Sequence, residues 1–421
     1  MRIEILCTGD EILSGKTINT NYSHMARRLL EADLDVVWGT TVGDDRESLL
    51  QAFGEASRRA DAVIVNGGLG PTVDDLSQEV AAQAAGVPLE LHEGWLARME
   101  EFYKRRNRQM PAVNRKQAML PQGSEMIDNP IGTACGFAVN IGKARFFFTP
   151  GVPRELCRML DEQLMPRLLA MSGRQSVIRL KRFHSFGIGE SRADEMLNNI
   201  EGLGSDVKLG FQAHYPELET KLAVRGSDEA EVARKLAPVE AEVRRRLGNF
   251  IIAEDDSTLE SVVMQELRRR RATLATAEMF TSGNIAARIA SLVSAEQIFA
   301  RGVVARDLGQ LCASCGLDGR NGSDGITPDL AVRVAQSLRG SSGAGLALAV
   351  LIALDDAQDG VEFGGNIFIG VADGSEGVAR QARLLGGRDW VRLGAAELGL
   401  DCLRRHLQGL PVDERVDFER R

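Results

Sequence analysis

At 421 residues the chain is longer than one hydrophobic core usually supports, so two or three domains are expected. A hydrophobic content of 44%, a charged content of 26% and a net charge of −8 describe an ordinary soluble protein, with no global basis for binding nucleic acid or an anionic membrane. No apolar run approaches the ~20 residues of a membrane span. The opening MRIEILCTGDEIL has too short an apolar core for a signal peptide and reads as a first β-strand. A cytosolic location is expected.

Strand and helix patterns alternate over the first ~170 residues. RIEILCTGDE reads as a strand ending in a turn, NTNYSHMARRLLEADL as a helix, DVVWGTTVG as a strand and DRESLLQAFGEASRRA as a helix. DAVIVNGGLGPT is a strand entering a glycine-rich loop; a long helical stretch runs from DLSQEVAAQAAG through EGWLARMEEFYKRR; ARFFFTPGVP and RELCRMLDEQLMPRLLAM complete the pattern. This alternation predicts an α/β fold with a doubly wound, largely parallel sheet in residues 1–172. Residues 173–252 predict a small α+β domain of βαββα type, read as a dimerisation or spacer module. AEDDST serves as linker and helix cap. Residues 258–412 resume α/β alternation, from LESVVMQELRRRR to a closing helix GAAELGLDCLRRHLQGL.

The six cysteines are scattered at positions 7, 135, 157, 312, 315 and 402 and are expected to be free thiols. The pair in CASC, Cys312 and Cys315, lacks a second pair or a nearby histidine and is placed in an irregular loop.

The residues that carry chemistry cluster in the first domain. TGDEILSG puts Asp10 and Glu11 directly after a strand, and NGGLGPTVDD does the same with three glycines, Thr72, Asp74 and Asp75. A Gly-Gly-X-Gly turn exposes backbone N–H groups and admits a ligand closely, which suits a phosphate. Carboxylates beside such a loop repel a phosphate unless a cation lies between, which argues for Mg²⁺ or a similar hard ion. NPIGTACGF and TPGVPREL add two more turns, and GDD at 43–45 adds further carboxylates. Each loop alone is explained equally well as strand-to-helix geometry, and Asp74 as a helix cap. Several loops after strands of one sheet belong to one edge, where ligands of open α/β sheets bind.

Together TGDEILSGKTINTN, TVGDD, VNGGLGPTVDD, NPIGTACGF and FFFTPGVPREL resemble the competence/damage-inducible protein A (CinA) family, continuously over about the first 170 residues. The resemblance implies a molybdopterin-binding-type first domain, of the kind also found in molybdenum-cofactor biosynthesis, associated with metal-dependent ADP-ribose pyrophosphatase activity. It further implies a smaller middle domain, a C-terminal nicotinamide-mononucleotide deamidase domain and a homodimer. On this reading Asp10, Asp74 and Asp75, with Asp44, hold Mg²⁺ or Co²⁺ and do the catalysis. Gly9, Glu11, Gly67, Gly68, Gly70, Pro71, Thr72, Gly132, Thr133, Pro150 and Gly151 bind the substrate and its phosphates. A water activated by the cation is the nucleophile.

The last domain departs from the family pattern. The deamidase motif resembles TAESCTGG with serine as nucleophile, whereas this chain has TAEMFTSG, with Met279 at the serine position and Phe280 beside it. A thioether has no proton to lose and forms no acyl-enzyme. Where the family has a lysine in GGVVTYSNEAK, this chain reads RGVVARDLGQL, with Leu311 at that place. The family's TGIAGP loop is replaced by AVLIALD, beginning at Ala349. A deamidase fold without deamidase chemistry follows, with Glu278, Thr281 and Ser282 read as a helix cap.

The remaining candidates are weaker. His184, and His214 with Tyr215, read as satisfied half-buried side chains, and Arg268–Arg271 as a helix end. Arg115 and Lys116 either meet a second phosphate or occupy a solvated turn. The alternatives to a hydrolase are a non-catalytic binder of a nucleotide or pterin-phosphate ligand and, against Met279, an active deamidase. No nucleic-acid or membrane partner is expected.

Overall fold

The computed structural model describes residues 1–173, 177–203, 206–318, 325–356, 358–374 and 376–419. They divide into two compact units, Met1–Ile178 with Gly226–Glu229, and Arg179–Arg225 with Ala230–Arg421.

The first unit is built on strands β1 (Ile3–Thr8), β2 (Val36–Val42), β3 (Ala62–Asn66), the short β4 (Leu89–Leu91), β5 (Met119–Pro121) and β6 (Glu125–Ile127), then β7 (Gly136–Ile141) and β8 (Ala144–Thr149). Six of them form one sheet in the order β2-β1-β3-β8-β7-β6. β2, β1, β3 and β8 run parallel, while β7 and β6 join antiparallel. The alternation of side chains across the sheet assigns Leu6, Val63, Val65, Phe146 and Phe148 to one buried cluster and Ile5, Cys7, Ile64 and Phe147 to another. Helices Arg46–Arg59, Ser77–Ala85 and Glu93–Lys104 cover the first face through Phe53, Val80 and Trp95. Helices Thr20–Glu31 and Pro153–Met159 cover the second through Met25, Leu29 and Leu156. With apolar layers on both faces, the sheet is doubly wound.

The structure departs from the sequence expectation in local ways. The single long helical stretch after the glycine loop is two helices separated by β4, because Gly86 takes a left-handed conformation and Pro88 follows it. Gly136 and Phe137, read as the end of a turn, begin strand β7, GFAVNI.

The second unit carries two sheets. Strands β9 (Val177–Phe186), β10 (Val207–His214), β11 (Glu217–Gly226) and β12 (Ile251–Glu254) pair in the order β10-β11-β9-β12. β12 adds a strand to the expected βαββα pattern, so the acidic linker begins inside a strand. Thr258 then caps helix Leu259–Arg270 through a capping box with Ser261. Strands β13 (Leu274–Met279), β14 (Phe299–Ala305), β15 (Leu346–Leu354), β16 (Gly364–Asp373) and β17 (Glu376–Leu385) form the other sheet, in the order β14-β13-β15-β16-β17. The Cys312–Cys315 pair is not in a loop: Cys312 lies in helix Leu308–Ser314 and Cys315 caps it, both buried as free thiols in the core. Among the described residues no helix is long and apolar enough to cross a membrane.

Candidate functional site

The loops that follow β1, β2, β3 and β8 open at the C-terminal edge of the first sheet, and together they wall a cleft of about 490 Å³. Its lining includes Thr8–Gly9 and Glu11 after β1, Asp44 after β2, Asn66–Pro71 with Asp74 and Asp75 after β3, and Pro150–Pro153 with Glu155 after β8. Thr133 and Ala134 close one side. Among the described residues no lysine or arginine lines the cleft.

The glycine loop is shaped by a close approach. Gly67 has φ 114°, and a Cβ there would sit 2.6 Å from the Thr8 hydroxyl and 2.8 Å from the Thr8 carbonyl oxygen. The Gly67 N–H donates to the Thr149 carbonyl at 3.0 Å, tying β3 to β8. The N–H groups of Gly68 and Leu69 have no protein acceptor among the described residues. The Thr8 hydroxyl, 5% exposed as a residue, has no hydrogen-bond partner either.

An amide pair that the sequence reasoning passed over holds the cleft floor. Asn21 Nδ2 donates to Asn66 Oδ1 at 2.9 Å and to the Gly151 carbonyl at 2.7 Å. Asn66 Nδ2 donates to the Pro150 carbonyl at 2.7 Å and to Thr149 Oγ1 at 3.2 Å. Three chain segments are locked by two buried side chains. A buried asparagine in NTN and another ending the apolar run AVIVN were the available signals, since a buried amide must be paired.

The carboxylates divide by role. Asp75, expected as a catalytic and metal-binding group, closes its own loop instead: Oδ1 accepts Gly70 N–H and Oδ2 accepts Thr72 N–H, each at 2.8 Å, and Oδ2 also takes the Thr72 hydroxyl. Gly70 N–H and the Thr72 hydroxyl, expected to cradle a phosphate, are therefore committed to Asp75. Asp10 is not among the residues that line the cleft; its Oδ1 accepts Asp44 N–H while Asp44 Oδ2 accepts Asp10 N–H, both at 3.2 Å. Asp44 and Asp74 do line the cleft. Burial pushes the Asp44 carboxyl up, and the charges of Asp10, Glu11 and Asp74 add to it against the Asp10 N–H. The Thr72 hydroxyl would lower the Asp74 carboxyl most, but its single proton goes to Asp75; Asp74's own N–H and Lys116 act in the same direction and hold it below the usual carboxylate range. Among the described residues no group of three or more His, Cys, Asp or Glu side chains could hold a metal ion. The four aspartates expected as ligands do not form one coordination sphere.

Gly9, Glu11, Gly67, Gly68, Gly70, Pro71, Thr133, Pro150 and Gly151 all line the cleft. Gly132 does not: its N–H donates to Asn129 Oδ1 at 3.0 Å, inside the turn. Lys116 Nζ donates to the Thr72 carbonyl at 3.2 Å and pairs with Glu79 at 3.4 Å, bracing the acidic loop from outside. Glu155 and Gln117 are lining residues that sequence reasoning left out.

In the second unit, β13 ends at Met279 and the chain turns through Phe280 (φ 73°) and Ser282 (φ 59°), both left-handed, before helix Asn284–Ala290. A bulky residue at such a φ is strained. Glu278, fully buried, accepts the Thr281 hydroxyl at 2.6 Å, Ile285 N–H at 3.1 Å and Ala286 N–H at 2.7 Å, so it fastens the helix start from the preceding strand. Met279 packs against the buried cluster that contains Leu311 and Ala349. His184 is satisfied, with Nε2 2.8 Å from the Asp255 carbonyl and Nδ1 3.5 Å from Glu217, and Tyr215 stacks on Trp390 at 3.7 Å.

Three family models match in succession: a probable molybdopterin binding domain over residues 4–170, a damage-inducible protein CinA KH domain over 180–253 and a CinA C-terminal domain over 256–407. A CinA-like protein of Shewanella sediminis is 36% identical over 416 residues, covering 98% of this chain and 97% of its own length. The chain belongs to the CinA family. A CinA-like protein of Citrifermentans bemidjiense is 38% identical over 97% of this chain and 98% of its own. Among solved structures, CinA of Thermoplasma acidophilum is similar at 31% identity and TM-score 0.36, over 41% of this chain and 96% of that one. A CinA superfamily protein of Enterobacter cloacae is similar at 17% identity and TM-score 0.33, over 36% and 95%. In this CinA-family chain the whole cleft falls within the molybdopterin-type domain, and the Met279 turn within the CinA C-terminal domain.

Proposed function

We propose that the cleft of the first domain grips the diphosphate of a nucleotide sugar and hydrolyses it, with ADP-ribose giving AMP and ribose 5-phosphate. One observation carries this reading: amide hydrogens without protein acceptors stand beside Glu11, Asp44 and Asp74 with no lysine or arginine in the lining. Amides of this kind suit an anion, and carboxylates beside an anion require a cation between them. A cage of protein carboxylates is not what these residues fit. They fit the other arrangement common for Mg²⁺, in which one or two carboxylates and the substrate's own phosphate oxygens share the ion. Asp44 and Asp74 would hold it, and it supplies charge neutralisation and polarisation of the phosphoryl oxygens.

The chain's own residues do the rest. Gly68 and Leu69 N–H groups take a phosphate oxygen, and the Asn21–Asn66 pair keeps the loops after β3 and β8 at a fixed separation. Positioning of this kind, with fixed dipoles, is the larger part of phosphoryl-transfer catalysis. Water adds to one phosphorus as the bond to the bridging oxygen breaks, the bridge leaves on the other phosphate, and the proton of the water passes to solvent. The protein acts in the cytosol, a reading supported by its free cysteines.

The test is AMP production from ADP-ribose with Mg²⁺ or Co²⁺. No AMP above an Asp74→Asn control would sink it. A second reading, ligand binding without turnover, is favoured by the match of residues 4–170 to a probable molybdopterin binding domain. Tight binding with no product under any divalent ion would select it.

The last domain is read as a deamidase fold without the reaction, because apolar packing fills the place of nucleophile and base. Ammonia release from nicotinamide mononucleotide would overturn that.

A further inference from the structure

Glu155 lines the cleft and has no task in the reading above. It lies in the first turn of helix Pro153–Met159 and lines the cleft beside Gly151 and Val152. Its Oε2 accepts the Asn129 side-chain amide at 2.7 Å. Asn129 is fully buried, donates to the Ala134 carbonyl at 2.9 Å and accepts Gly132 N–H at 3.0 Å. A Cβ on Gly132 would overlap the Glu155 carboxylate, so the turn and the glutamate are built around each other. The donor that fixes Glu155 is neutral, so its charge is not cancelled. Oε1 has no protein donor among the described residues.

Position separates Glu155 from Asp44, the cation carboxylate at the other end of the cleft, and puts it across the glycine loop from there. Asp44 follows β2 and Glu155 follows β8, with β1 and β3 between them in the sheet. Three strand spacings put the two ends of the cleft roughly 14 Å apart. The glycine loop after β3 lies between them, so with the cation held on the Asp44 side, Glu155 stands on the side of the loop left for an organic end of a bound diphosphate. An ionised carboxylate accepts hydrogen bonds and donates none, so a phosphate is the wrong partner and a pair of hydroxyls the right one. Val152, half exposed, offers an apolar surface next to it.

We propose that Glu155 accepts the vicinal hydroxyls of a ribose and so sets the preference of the cleft for a ribonucleotide over a bare diphosphate. This rests on the reading that the cleft takes a nucleotide diphosphate, but not on hydrolysis. Calorimetric binding of ADP, 2′-deoxy-ADP and inorganic pyrophosphate, each with Mg²⁺, to the full chain and to Glu155→Gln tests it. The unaltered protein should bind ADP about tenfold more tightly than 2′-deoxy-ADP, since a hydrogen bond to a charged acceptor is at stake. Glu155→Gln should bind ADP about tenfold more weakly, lose the distinction between ADP and 2′-deoxy-ADP, and bind pyrophosphate unchanged. Equal weakening of ADP and pyrophosphate would show a structural role, and equal affinity of the unaltered protein for the two nucleotides, or none for either, would overturn the assignment. Ribose discrimination without AMP formation from ADP-ribose would retain Glu155 and remove only the hydrolase reading.

Discussion

Asp75 accepts the Thr72 backbone N–H at 2.8 Å, and the same oxygen takes the Thr72 hydroxyl while its twin takes Gly70 N–H. Its neighbour Asp74 is exposed and faces the cleft. Two adjacent aspartates thus do different things, one folding the loop and one left available to a ligand. Asp75→Asn puts an amide hydrogen against a backbone donor and is expected to cost about 1–2 kcal/mol, a fall of roughly 2–6 °C in Tm. Asp74→Asn should leave Tm within ~1 °C, as exposed substitutions usually do, while abolishing Mg²⁺-dependent pyrophosphate binding. Thermal melts and calorimetry on both variants check this. Equal melting temperatures for the two would refute the division of labour.

Gly67→Ala tests the shape of the loop directly. The new methyl meets the Thr8 carbonyl, which is part of strand β1 and cannot step aside, and the backbone must leave φ 114°. A loss of about 1–3 kcal/mol follows from strain of this kind, together with at least tenfold weaker pyrophosphate binding. A variant that melts and binds like the unaltered chain would mean that the glycine is incidental.

Much of this cleft is legible in the sequence because its walls grow from uninterrupted apolar runs. IEILCT, AVIVN and ARFFFT are too short for buried helices, and each is followed by a turn, so the strand ends and the loops beyond them can be placed. What spacing does not carry is which way a loop side chain turns. Asp74 and Asp75 are equivalent in sequence, and only the hydrogen bonds of the folded loop distinguish them. Asn21 and Glu155 come from helices that pattern places correctly, yet periodicity says nothing about a side chain at a helix end reaching a neighbouring loop; Gln117 comes from a short 3-10 turn, Ala112–Ala118, in a stretch read as lying between helices. β7 and β17 escaped for a different reason. GFAVNI begins at a glycine, and EGVARQARLL alternates with charged residues, so both lack the apolar continuity that marks the central strands.

The second unit contains a buried acid whose ionisation should be felt in stability. Glu397 accepts from Arg288 at 2.5 Å, Arg288 also pairs with Glu260 at 2.7 Å, and Glu397 Oε1 has no partner among the described residues. Burial pushes the Glu397 carboxyl up to about 7; Arg288 pulls against this, and Glu217 and Glu260 add to it. A raised carboxyl means that the folded state holds a proton the unfolded chain has lost. The resulting stabilisation is complete below the ordinary value of 4.5 and disappears as pH rises through about 7. The unaltered protein should therefore lose on the order of 1–3 kcal/mol between pH 5 and pH 8 that Glu397→Gln does not lose. Denaturant melts at the two pH values measure the difference, and parallel losses in both proteins would refute it.

The proposed loss of deamidase chemistry at the Met279 turn is tested by trying to restore it. Strand β13, the left-handed turn and the Glu278 cap keep a strand-to-helix junction of the kind that presents nucleophiles, so a serine at 279 would be delivered to the right kind of place. It would arrive without a base, since Leu311 is fully buried and shares its apolar cluster with Met279 and Ala349. A serine hydroxyl in such surroundings is not activated. Met279→Ser should give no ammonia from nicotinamide mononucleotide and should cost about 1–3 kcal/mol from lost packing. Adding Leu311→Lys places a charge in the same apolar cluster, at a cost of several kcal/mol that the unit is expected not to survive. Ammonia release by either variant, read in a coupled assay beside a thermal melt, would show that the site lacks only its side chains. Failure of the single variant with its fold intact would place the loss in the surrounding packing.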